Sequence, residues 1–288
     1  MRVVVALGGN ALLKPGDSGS FEEQENSIRE LVSDLEDIQK DHELIVTHGN
    51  GPQVGNLLIQ QDEAKNLVPE MPLDVCVAMT QGQIGYLIRK NLDESVGVLT
   101  HVEVDESELE KEPTKPVGPY YDDKIEENMV KEPEGWRKVV VSPKPEKIVE
   151  LDSIRNLVDN GFTVVCCGGG GIPVTGNGRL DGEEAVVDKD RTTSLLAKEL
   201  EADVVIFYTD VDHVYRNYGD DNEEPIEEMS LEEAREILSE LDKGSMKPKL
   251  EAAIDFIGLD GENRGRKVVI GNELDLSGDS GTLFANDF

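Results

Sequence analysis

Short runs of apolar residues alternate along the chain with longer segments in which apolar residues recur every three or four positions. The short runs are typical of strands buried in a parallel sheet, and the longer segments are typical of helices that cover such a sheet. The pattern therefore predicts a mostly parallel α/β sheet with both faces covered. Strands are predicted at 3–7, 44–46, 97–102, 162–167, 203–208 and 267–270, and helices at 21–39, 54–64, 74–92, 148–160, 191–200, 231–241 and 249–256.

Three of the predicted strands lead directly into a glycine-rich turn. The carboxyl ends of parallel strands share one edge of a sheet, where ligands bind in open α/β folds, so the turns predict a common site. The second turn precedes Pro52, which suits the first turn of a helix, and it therefore offers backbone N–H groups and a positive helix end to an anion. Taken alone, each turn is more typical of a simple chain reversal. The turns are Gly8-Gly9-Asn10, Gly49-Asn50-Gly51 and Gly168–Gly171.

The segment 105–145 differs in composition from the rest of the chain. It contains six of the 13 prolines, many charged residues and the only tryptophan, Trp136, and its apolar positions are sparse. This texture predicts an excursion from the main sheet in the form of a small protruding subdomain or lid. A disordered linker is the alternative, but the stretch 117–121 and Trp136 have apolar surface to bury.

The formal net charge is −33, from 61 acidic and 28 basic residues. This surface predicts adaptation to high salt, because molar salt shortens the Debye length to about 3 Å and screens self-repulsion; an ordinary acidic protein is the alternative. The charge argues against nucleic acids and anionic membranes as partners. No apolar run approaches the roughly 20 residues of a membrane span. The chain enters a strand at once, without a signal peptide, so we expect a cytoplasmic protein.

Cysteine and histidine indicate little chemistry. Cys166 and Cys167 are adjacent and therefore poor disulfide partners, and we expect them to be buried free thiols. The four histidines lack zinc-ligand spacing, so we expect no structural zinc. The P-loop motif is absent. The stretch from Gly49 to Gly55 reads G-x-G-x-x-x-G, which has one residue more before its last glycine than the dinucleotide-binding fingerprint G-x-G-x-x-G.

Eight stretches, spread in order over nearly the whole chain, resemble carbamate kinases within the amino-acid-kinase family. The first reads Ala-Leu-Gly-Gly-Asn-Ala-Leu, and Asn10 stands where related kinases for acetylglutamate, aspartate or UMP generally have a lysine. The sequence Thr-Lys-Pro-Val-Gly-Pro at 114–119 is also particular to carbamate kinases. The stretches are 6–12, 47–55, 113–121, 141–145, 167–174, 187–190, 209–212 and 244–252.

The resemblance implies a three-layer α/β/α sandwich, with one sheet that continues through two parts. Residues 1–200 would bind carbamate and carry the lid, and residues 201–288 would bind the nucleotide. The implied reaction is reversible transfer of a phosphoryl group from ATP to carbamate, which gives ADP and carbamoyl phosphate, in a homodimer. The family often runs toward ATP, at the end of arginine catabolism. Mg²⁺ is expected to arrive with ATP or ADP, and no protein-only metal site is expected.

The resemblance also implies roles for individual residues. Carbamate is small and planar, so its recognition requires several directed donors, and phosphoryl transfer requires positioning and charge compensation. His48 is expected to be structural, because carbamate is already anionic and needs no base. Carbamate-binding residues are expected at Gly8, Gly9, Asn10, Gly49, Asn50, Gly51, Gly169 and Gly170. Catalytic roles are expected for Lys115, Lys189, Lys249 and Asp210, and nucleotide binding for Lys189, Asp210, Val211, Tyr215, Ser245, Met246 and Lys249.

Two other functions are compatible with the sequence. A kinase for another small carboxylate or phosphate would share the fold, although Asn10 favours carbamate. A nucleotide-binding sensor would bind ATP without turnover, although it would not need all three lysines. Arg191 and Lys247 depart from the usual family pattern, and their added charge puts the substrate affinity in question.

Overall fold

The computed structural model describes residues 1–14, 16–132, 135–176, 180–241, 245–258 and 265–285, without the side chains of Asn10, Pro119 and Glu132. The helices are α1 (Phe21–Asp41), α2 (Gly51–Ala64), α3 (Leu73–Asn91), α4 (Glu106–Leu109), α5 (Leu151–Asp159), α6 (Lys189–Glu199), α7 (Leu231–Glu240) and α8 (Met246–Ile257), with 3₁₀ turns at Gly9–Ala11 and Gly168–Gly170. The strands are β1 (Arg2–Leu7), β2 (Glu43–His48), β3 (Ser95–Gly97), β4 (His101–Val104), β5 (Lys115–Tyr121), β6 (Met129–Glu132), β7 (Gly135–Val140), β8 (Pro145–Ile148), β9 (Thr163–Val165), β10 (Ile172–Thr175), β11 (Asp181–Gly182), β12 (Val204–Tyr208), β13 (Val214–Arg216), β14 (Glu224–Ile226), β15 (Glu228–Met229), β16 (Lys267–Gly271) and β17 (Gly281–Ala285).

The central sheet has eight strands in the order β15-β17-β16-β12-β1-β2-β9-β3. Neighbouring strands are parallel, except that β16 and β17 are antiparallel. Successive residues of β1 face opposite sides: Val3 and Val5 pack with α1 and α3, whereas Val4 and Ala6 pack with α5, α6, α7 and α8. The predicted three-layer α/β/α sandwich is therefore confirmed. Burial on both faces explains the continuous apolar runs of the central strands.

The carboxyl ends of the central strands lie level with one another. Leu7, at the end of β1, pairs with His48 at the end of β2 and with Tyr208 at the end of β12. Val46 of β2 pairs with Val165, the last residue of β9. The residues that follow these strands therefore meet at one edge of the sheet, and they include all three glycine turns.

Strands β5, β7 and β6 form a separate antiparallel sheet within the segment 105–145, which we call the lid sheet. Its Val117 and Val140 are buried with Val54 of α2 and Leu73 of α3 in a third apolar cluster. Apolar burial thus holds the lid sheet against the body of the protein. A four-stranded sheet, β11-β10-β4-β8, and a hairpin of β13 and β14 complete the described strands.

The predicted strand at 97–102 is wrong, because this stretch is divided between β3 in the central sheet and β4 in the four-stranded sheet. The chain leaves the central sheet before Thr100. The Thr100 N–H donates to Gln81 Oε1 at 2.8 Å, and the Thr100 carbonyl accepts from Gln81 Nε2 at 3.2 Å. A side chain of α3 therefore satisfies the Thr100 N–H, and the Thr100 carbonyl also accepts from the Ile172 N–H of β10 at 2.9 Å. The apolar pattern cannot show these pairings.

The structure also differs from the prediction in the start of one helix and in one missed strand. The helix predicted at 148–160 begins at Leu151, because Ile148 ends β8. Strand β17 was missed because its apolar residues are interrupted by Thr282, whose buried hydroxyl donates to Ile226 O at 2.5 Å.

The expectation of buried free thiols is confirmed for Cys166 and Cys167. Among the described residues, no helix combines the length and the apolar character that a membrane crossing requires.

Candidate active site

A cavity of about 570 Å³ opens at the carboxyl edge of the central sheet. Its walls come from the glycine turns after β1, β2 and β9, from the starts of α2, α6 and α8, and from the lid sheet. Residues from both halves of the chain therefore share one cavity. The predicted site residues that line it are Gly8, Gly9, Gly49, Asn50, Gly51, Lys115, Gly169, Lys189, Asp210, Ser245 and Lys249.

The first two glycine turns continue the hydrogen bonding of the sheet into the cavity wall. The Gly8 N–H donates to Tyr208 O at 3.1 Å, and the Gly49 N–H donates to Leu7 O at 2.9 Å. These two amides therefore serve the sheet and not a bound anion. A Cβ on Gly8 would lie 2.9 Å from Tyr208 O, so a side chain has no room there. The first N–H groups of α2, which have no acceptor within the helix, are better placed as anion donors.

The third glycine turn packs against the second turn and against the start of α6. Gly169 has a φ of +65° and Gly170 a φ of +90°, a conformation that residues with a side chain rarely adopt. A side chain on Gly169 would overlap the amide of Asn50, which donates to Thr80 Oγ1 at 2.8 Å. A side chain on Gly170 would overlap the carbonyl of Val187. Gly169 lines the cavity, whereas Gly170 packs against the backbone before α6 and is not part of the wall.

Two lysines from different helices share one carboxylate in the cavity wall. Asp190, in the first turn of α6, accepts from Lys189 Nζ at 2.5 Å and from Lys249 Nζ at 3.3 Å. Lys249, in the first turn of α8, also donates to Ser245 O at 3.2 Å. Burial lowers the pKa of Lys189; Asp190 opposes this effect and Lys249 adds to it. Two buried ammonium groups with one carboxylate leave an excess of positive charge, which suits an anionic ligand.

Lys115 brings a third ammonium group from the lid sheet. Its Nζ lies 2.8 Å from Asp188 Oδ2, and the other oxygen of Asp188 accepts the Asp190 N–H at 2.9 Å as the N-cap of α6. Burial acts to raise the pKa of Asp188, but the ammonium groups of Lys115 and then Lys189 outweigh it and hold that pKa below its usual range. The carboxylates of Asp188, which caps α6, and of Asp190, in its first turn, thus arrange the lysines of three different segments around one space.

Asp210 lies two residues beyond Tyr208, the last residue of β12. The Thr209 N–H donates to Gly271 O at 2.8 Å, and the Thr209 hydroxyl donates to Asp210 Oδ1 at 3.0 Å. Asp188 and Asp190 are buried beside lysines, whereas the Asp210 side chain is exposed where it lines the cavity. Asp210 is therefore the carboxylate that a cation in the solvent of the cavity reaches most easily.

Four predicted site residues lie outside the described cavity wall: Gly170, Val211, Tyr215 and Met246. Tyr215 is on the β13–β14 hairpin, where its hydroxyl donates to Asp212 Oδ1 at 2.8 Å. Met246 begins α8 and packs against the apolar cluster between the central sheet and helices α5 to α8. The side chain of Asn10 and the residue Gly244 lie outside the part of the chain that the structure describes. Contacts of these residues with substrate stay a prediction.

The two residues that depart from the family pattern lie outside the wall of the cavity. Arg191 pairs with Glu251 at 2.9 Å across α6 and α8. Lys247 donates to Leu241 O at 3.1 Å, at the end of α7. Their charges are therefore partly compensated within the protein.

Arg137 lines the cavity but was not predicted from the sequence. It lies on β7, its Nε donates to Gly118 O at 3.1 Å, and its guanidinium lies 5.2 Å from the centroid of the Tyr120 ring. Arg137 pairs with Tyr120 because the register between β5 and β7 shifts between Val117 and Tyr120. Since an apolar pattern does not reveal such a shift, the direction of Arg137 could not be read from the sequence.

Comparisons with known proteins agree with this geometry. The amino acid kinase family matches residues 1–272. A carbamate kinase of Halobacterium salinarum is 46% identical over 90% of each chain, and carbamate kinase 1 of Enterococcus faecium is 44% identical over 89% of each chain. The chain belongs to the carbamate kinases. The structure of the Giardia lamblia carbamate kinase bound to AMP-PNP has a TM-score of 0.89 and 36% identity, over 99% of this chain and 98% of that one.

As a carbamate kinase, the protein is a phosphotransferase with a carboxyl group as the acceptor. The family resemblance that the sequence motifs indicated is therefore confirmed. Phosphoryl transfer depends mainly on positioning and on compensation of negative charge. In this carbamate kinase, three lysines and the glycine turns line one cavity.

His48 lies behind the cavity of this carbamate kinase, at the end of β2. Its ring is buried, and Nδ1 must donate to Gly49 O at 2.9 Å, because a carbonyl oxygen can only accept. Burial lowers the pKa of His48 to about 4; the bond to Gly49 opposes this effect, and Lys189 adds to it. The ring is therefore neutral near pH 7, as expected of a structural histidine.

The low pKa of His48 predicts that this carbamate kinase loses stability in mild acid. The unfolded chain protonates this ring near pH 6.5, but the folded chain resists protonation until the pH reaches about 4. The free energy of unfolding should therefore decrease as the pH falls through this window, by up to about 3 kcal/mol. Urea unfolding at pH 7 and pH 5 should show a larger decrease for the wild type than for His48→Gln. Equal decreases in the two proteins would exclude His48 as the source.

Proposed function

We propose that this carbamate kinase catalyses reversible, Mg²⁺-dependent phosphoryl transfer between ATP and carbamate, with ADP and carbamoyl phosphate as the other pair. The observation that supports this most directly is that Lys115, Lys189 and Lys249 line one cavity although they come from three separate segments. The transferred phosphoryl group carries negative charge on its equatorial oxygens throughout the reaction, and preorganised ammonium groups stabilise that charge.

Each lysine is proposed to contact a different part of the reacting pair. Lys189 and Lys249 compensate the charge of the transferred phosphoryl group, and Asp190 keeps their ammonium groups at fixed positions. Lys115, from the lid sheet, contacts the carbamoyl end. Carbamate carries its own negative charge, so the reaction requires no side chain to remove a proton, which agrees with the burial of His48 behind the cavity wall.

The two substrates are proposed to occupy different parts of the cavity. The glycine turns after β1, β2 and β9 belong to residues 1–200, and we propose that they hold carbamate. Asp210, Ser245 and Lys249 belong to residues 201–288, and we propose that they contact the nucleotide together with Val211, Tyr215 and Met246. The relative from Giardia lamblia binds AMP-PNP, which supports nucleotide binding in this fold. The central sheet runs through both parts, since β1 pairs with both β2 and β12.

The cavity fits a Mg²⁺ ion that arrives with the nucleotide. Mg²⁺ prefers carboxylate, phosphate and water oxygens, and the exposed carboxylate of Asp210 lines the cavity. Asp210 would hold the ion, since its carboxylate is exposed to the cavity whereas those of Asp188 and Asp190 are buried. When bound, Mg²⁺ supplies neutralisation of the charge on the nucleotide phosphates. In the described ranges, no group of three or more His, Cys, Asp or Glu residues could hold a metal by itself.

The proposed reaction is tested by ATP formation from ADP, Mg²⁺ and carbamoyl phosphate in molar KCl, with chromatography of the nucleotides. We expect ATP with carbamoyl phosphate and far less with acetyl phosphate at the same concentration. Equal or greater rates with acetyl phosphate would indicate a kinase for another carboxylate. Nucleotide binding without turnover would indicate a sensor.

We further propose that flux in the cell runs toward ATP at the end of arginine catabolism, as the family resemblance implies. A strain that lacks the gene should then produce less ATP from arginine. Unchanged ATP production from arginine would reject this direction.

We also propose that the enzyme is a homodimer. Helix α3 exposes the apolar side chains of Met79 (44%) and Tyr86 (58%) next to β3, the last strand of the central sheet. Exposed apolar side chains beside an edge strand indicate an interaction surface. Light scattering should give twice the chain mass of 31.7 kDa, and a mass of one chain would reject the proposal.

Adaptation to high salt is proposed from the net charge of −33. Salt at about 1 M shortens the Debye length to about 3 Å, so the repulsion between surface carboxylates should decrease and the melting temperature should rise. Thermal melts at low and molar KCl test this expectation. Sucrose at equal osmolality is the control, because it stabilises by exclusion without screening charge. Equal melting temperatures in low and molar KCl would contradict the proposal.

A further inference from the structure

Asp188 connects the lid sheet to the first turn of α6. One oxygen of its carboxylate accepts the Asp190 N–H at 2.9 Å, and the other lies 2.8 Å from Lys115 Nζ. The side chain of Asp188 is 9% exposed, whereas that of Lys115 is 38% exposed. The carboxylate is therefore the fixed partner of this ion pair, and the lysine is the partner that the lid sheet brings to it.

The backbone around Asp188 is held from two sides. The Thr192 N–H donates to Asp188 O at 3.1 Å, and the Thr192 hydroxyl donates to Gly170 O at 2.8 Å. Gly170 lies so close to Val187 that a side chain would overlap the Val187 carbonyl. The carboxylate of Asp188 therefore has little freedom to follow a movement of the lid sheet.

The first turn of α6 sets the positions of all three lysines. Lys189 and Lys249 depend on Asp190, and the backbone N–H of Asp190 is the group that Asp188 caps. Lys115 depends on Asp188 itself. A change in the position of Lys115 relative to this turn would change the separation of the proposed carbamoyl and phosphoryl sites, and a misplacement of about 1 Å can reduce a rate about 10²-fold.

We propose that Asp188 is a positioning residue, which holds Lys115 at a set distance from Lys189 and Lys249 and so keeps the lid sheet in the arrangement that phosphoryl transfer requires. This inference rests on the proposed role of Lys115 at the carbamoyl end. Asp188 acts through Lys115 and not on the substrate.

The variant Asp188→Asn separates positioning from capping, because asparagine is also a good N-cap but offers no charge to Lys115. We expect a melting temperature close to that of the wild type, a decrease of about tenfold or more in kcat/KM for carbamoyl phosphate, and an unchanged KM for ADP. Hydrogen exchange of the backbone amides in β5 and β7 should become faster. If the asparagine variant melts early, Asp188→Ser provides the same comparison, since serine also caps helices.

A double-mutant cycle with Lys115→Met tests whether Asp188 acts through Lys115. Each single change should accelerate exchange in the lid sheet and reduce kcat/KM, and the double variant should lose no more than Lys115→Met alone, because both changes remove one interaction. Glu103→Gln is the matched control: it removes an ion pair of the same 2.8 Å length with Lys147, away from the cavity, and should change neither readout.

Two results would overturn the proposal. One is wild-type kcat/KM and wild-type exchange in Asp188→Asn, which would show that Asp188 only caps α6. The other is an additive loss in the double variant, which would show that Asp188 acts independently of Lys115. Failure of the proposed function is a different result, because the wild type would then form no ATP from carbamoyl phosphate, or Lys115→Met would keep full activity.

Discussion

Replacement of Lys249 by alanine is expected to reduce ATP formation from carbamoyl phosphate about 10²–10³-fold, the loss typical of removing one preorganised donor to the transition state. Lys249 is 4% exposed, and its ammonium lies 3.3 Å from Asp190 Oδ2 and 3.2 Å from Ser245 O. Its charge is therefore already in place before the reaction. The loss should fall mainly on kcat, with little change in the KM for ADP, because the proposed contact of Lys249 is with the transferred phosphoryl group, which ADP lacks.

The fold should tolerate Lys249→Ala, because Asp190 keeps Lys189 as a partner at 2.5 Å. Lys247→Ala is the matched control. This lysine lies on the same turn of α8 but donates to Leu241 O, and its removal should leave turnover within about twofold. Near-normal turnover in Lys249→Ala would refute the assignment of Lys249. An equal loss of turnover in both variants would show that the effect comes from the lower positive charge of α8 and not from the position of Lys249.

Replacement of Asp190 by asparagine is expected to reduce both stability and activity. Asp190 is 3% exposed and is the carboxylate between two buried ammonium groups, so its loss leaves their mutual repulsion uncompensated. Removal of one partner from a buried ion pair typically costs about 3–5 kcal/mol. Urea unfolding should therefore show a decrease of this size, and turnover should decrease because the two ammonium groups move apart.

Asp255→Asn is the control for Asp190→Asn. Asp255 also accepts from a lysine, Lys198 at 2.6 Å, but its side chain is 54% exposed, so its loss should cost about 1 kcal/mol or less. Equal losses of stability in the two variants would mean that the buried Asp190 contributes no more to the free energy of unfolding than an exposed partner of a lysine does. A normal turnover with a large loss of stability would restrict Asp190 to a structural role.

The central sheet could be predicted because its strands are buried on both faces. The run from Val3 to Leu7 is continuous for that reason, and it ends where the sheet ends, at a glycine turn. The edge of the sheet was less predictable. In β17 the polar Thr282 is buried through a hydrogen bond to Ile226 O, and a contact between residues 56 positions apart leaves no local pattern.

The candidate site could be predicted in part. The glycine turns and the three lysines were recognised from motifs, but the sharing of Asp190 depends on a contact between α6 and α8 across 59 positions. The role of Asp188 did have a local signature. An aspartate directly before a helix is a typical N-cap, and the prediction that α6 begins at Arg191 placed the helix two residues late and so concealed it.

Trp136 gives this enzyme a natural optical reporter. It is the only tryptophan in the chain, and it lies on β7 between the ammonium groups of Lys124 and Lys131, at 5.7 and 5.6 Å from its ring centroid. Indole emission is sensitive to nearby charge and water, so tryptophan fluorescence from the unlabelled protein originates in the lid sheet alone. Rapid mixing with ADP or with carbamoyl phosphate should therefore show which substrate moves the lid sheet, and whether that movement precedes the appearance of ATP.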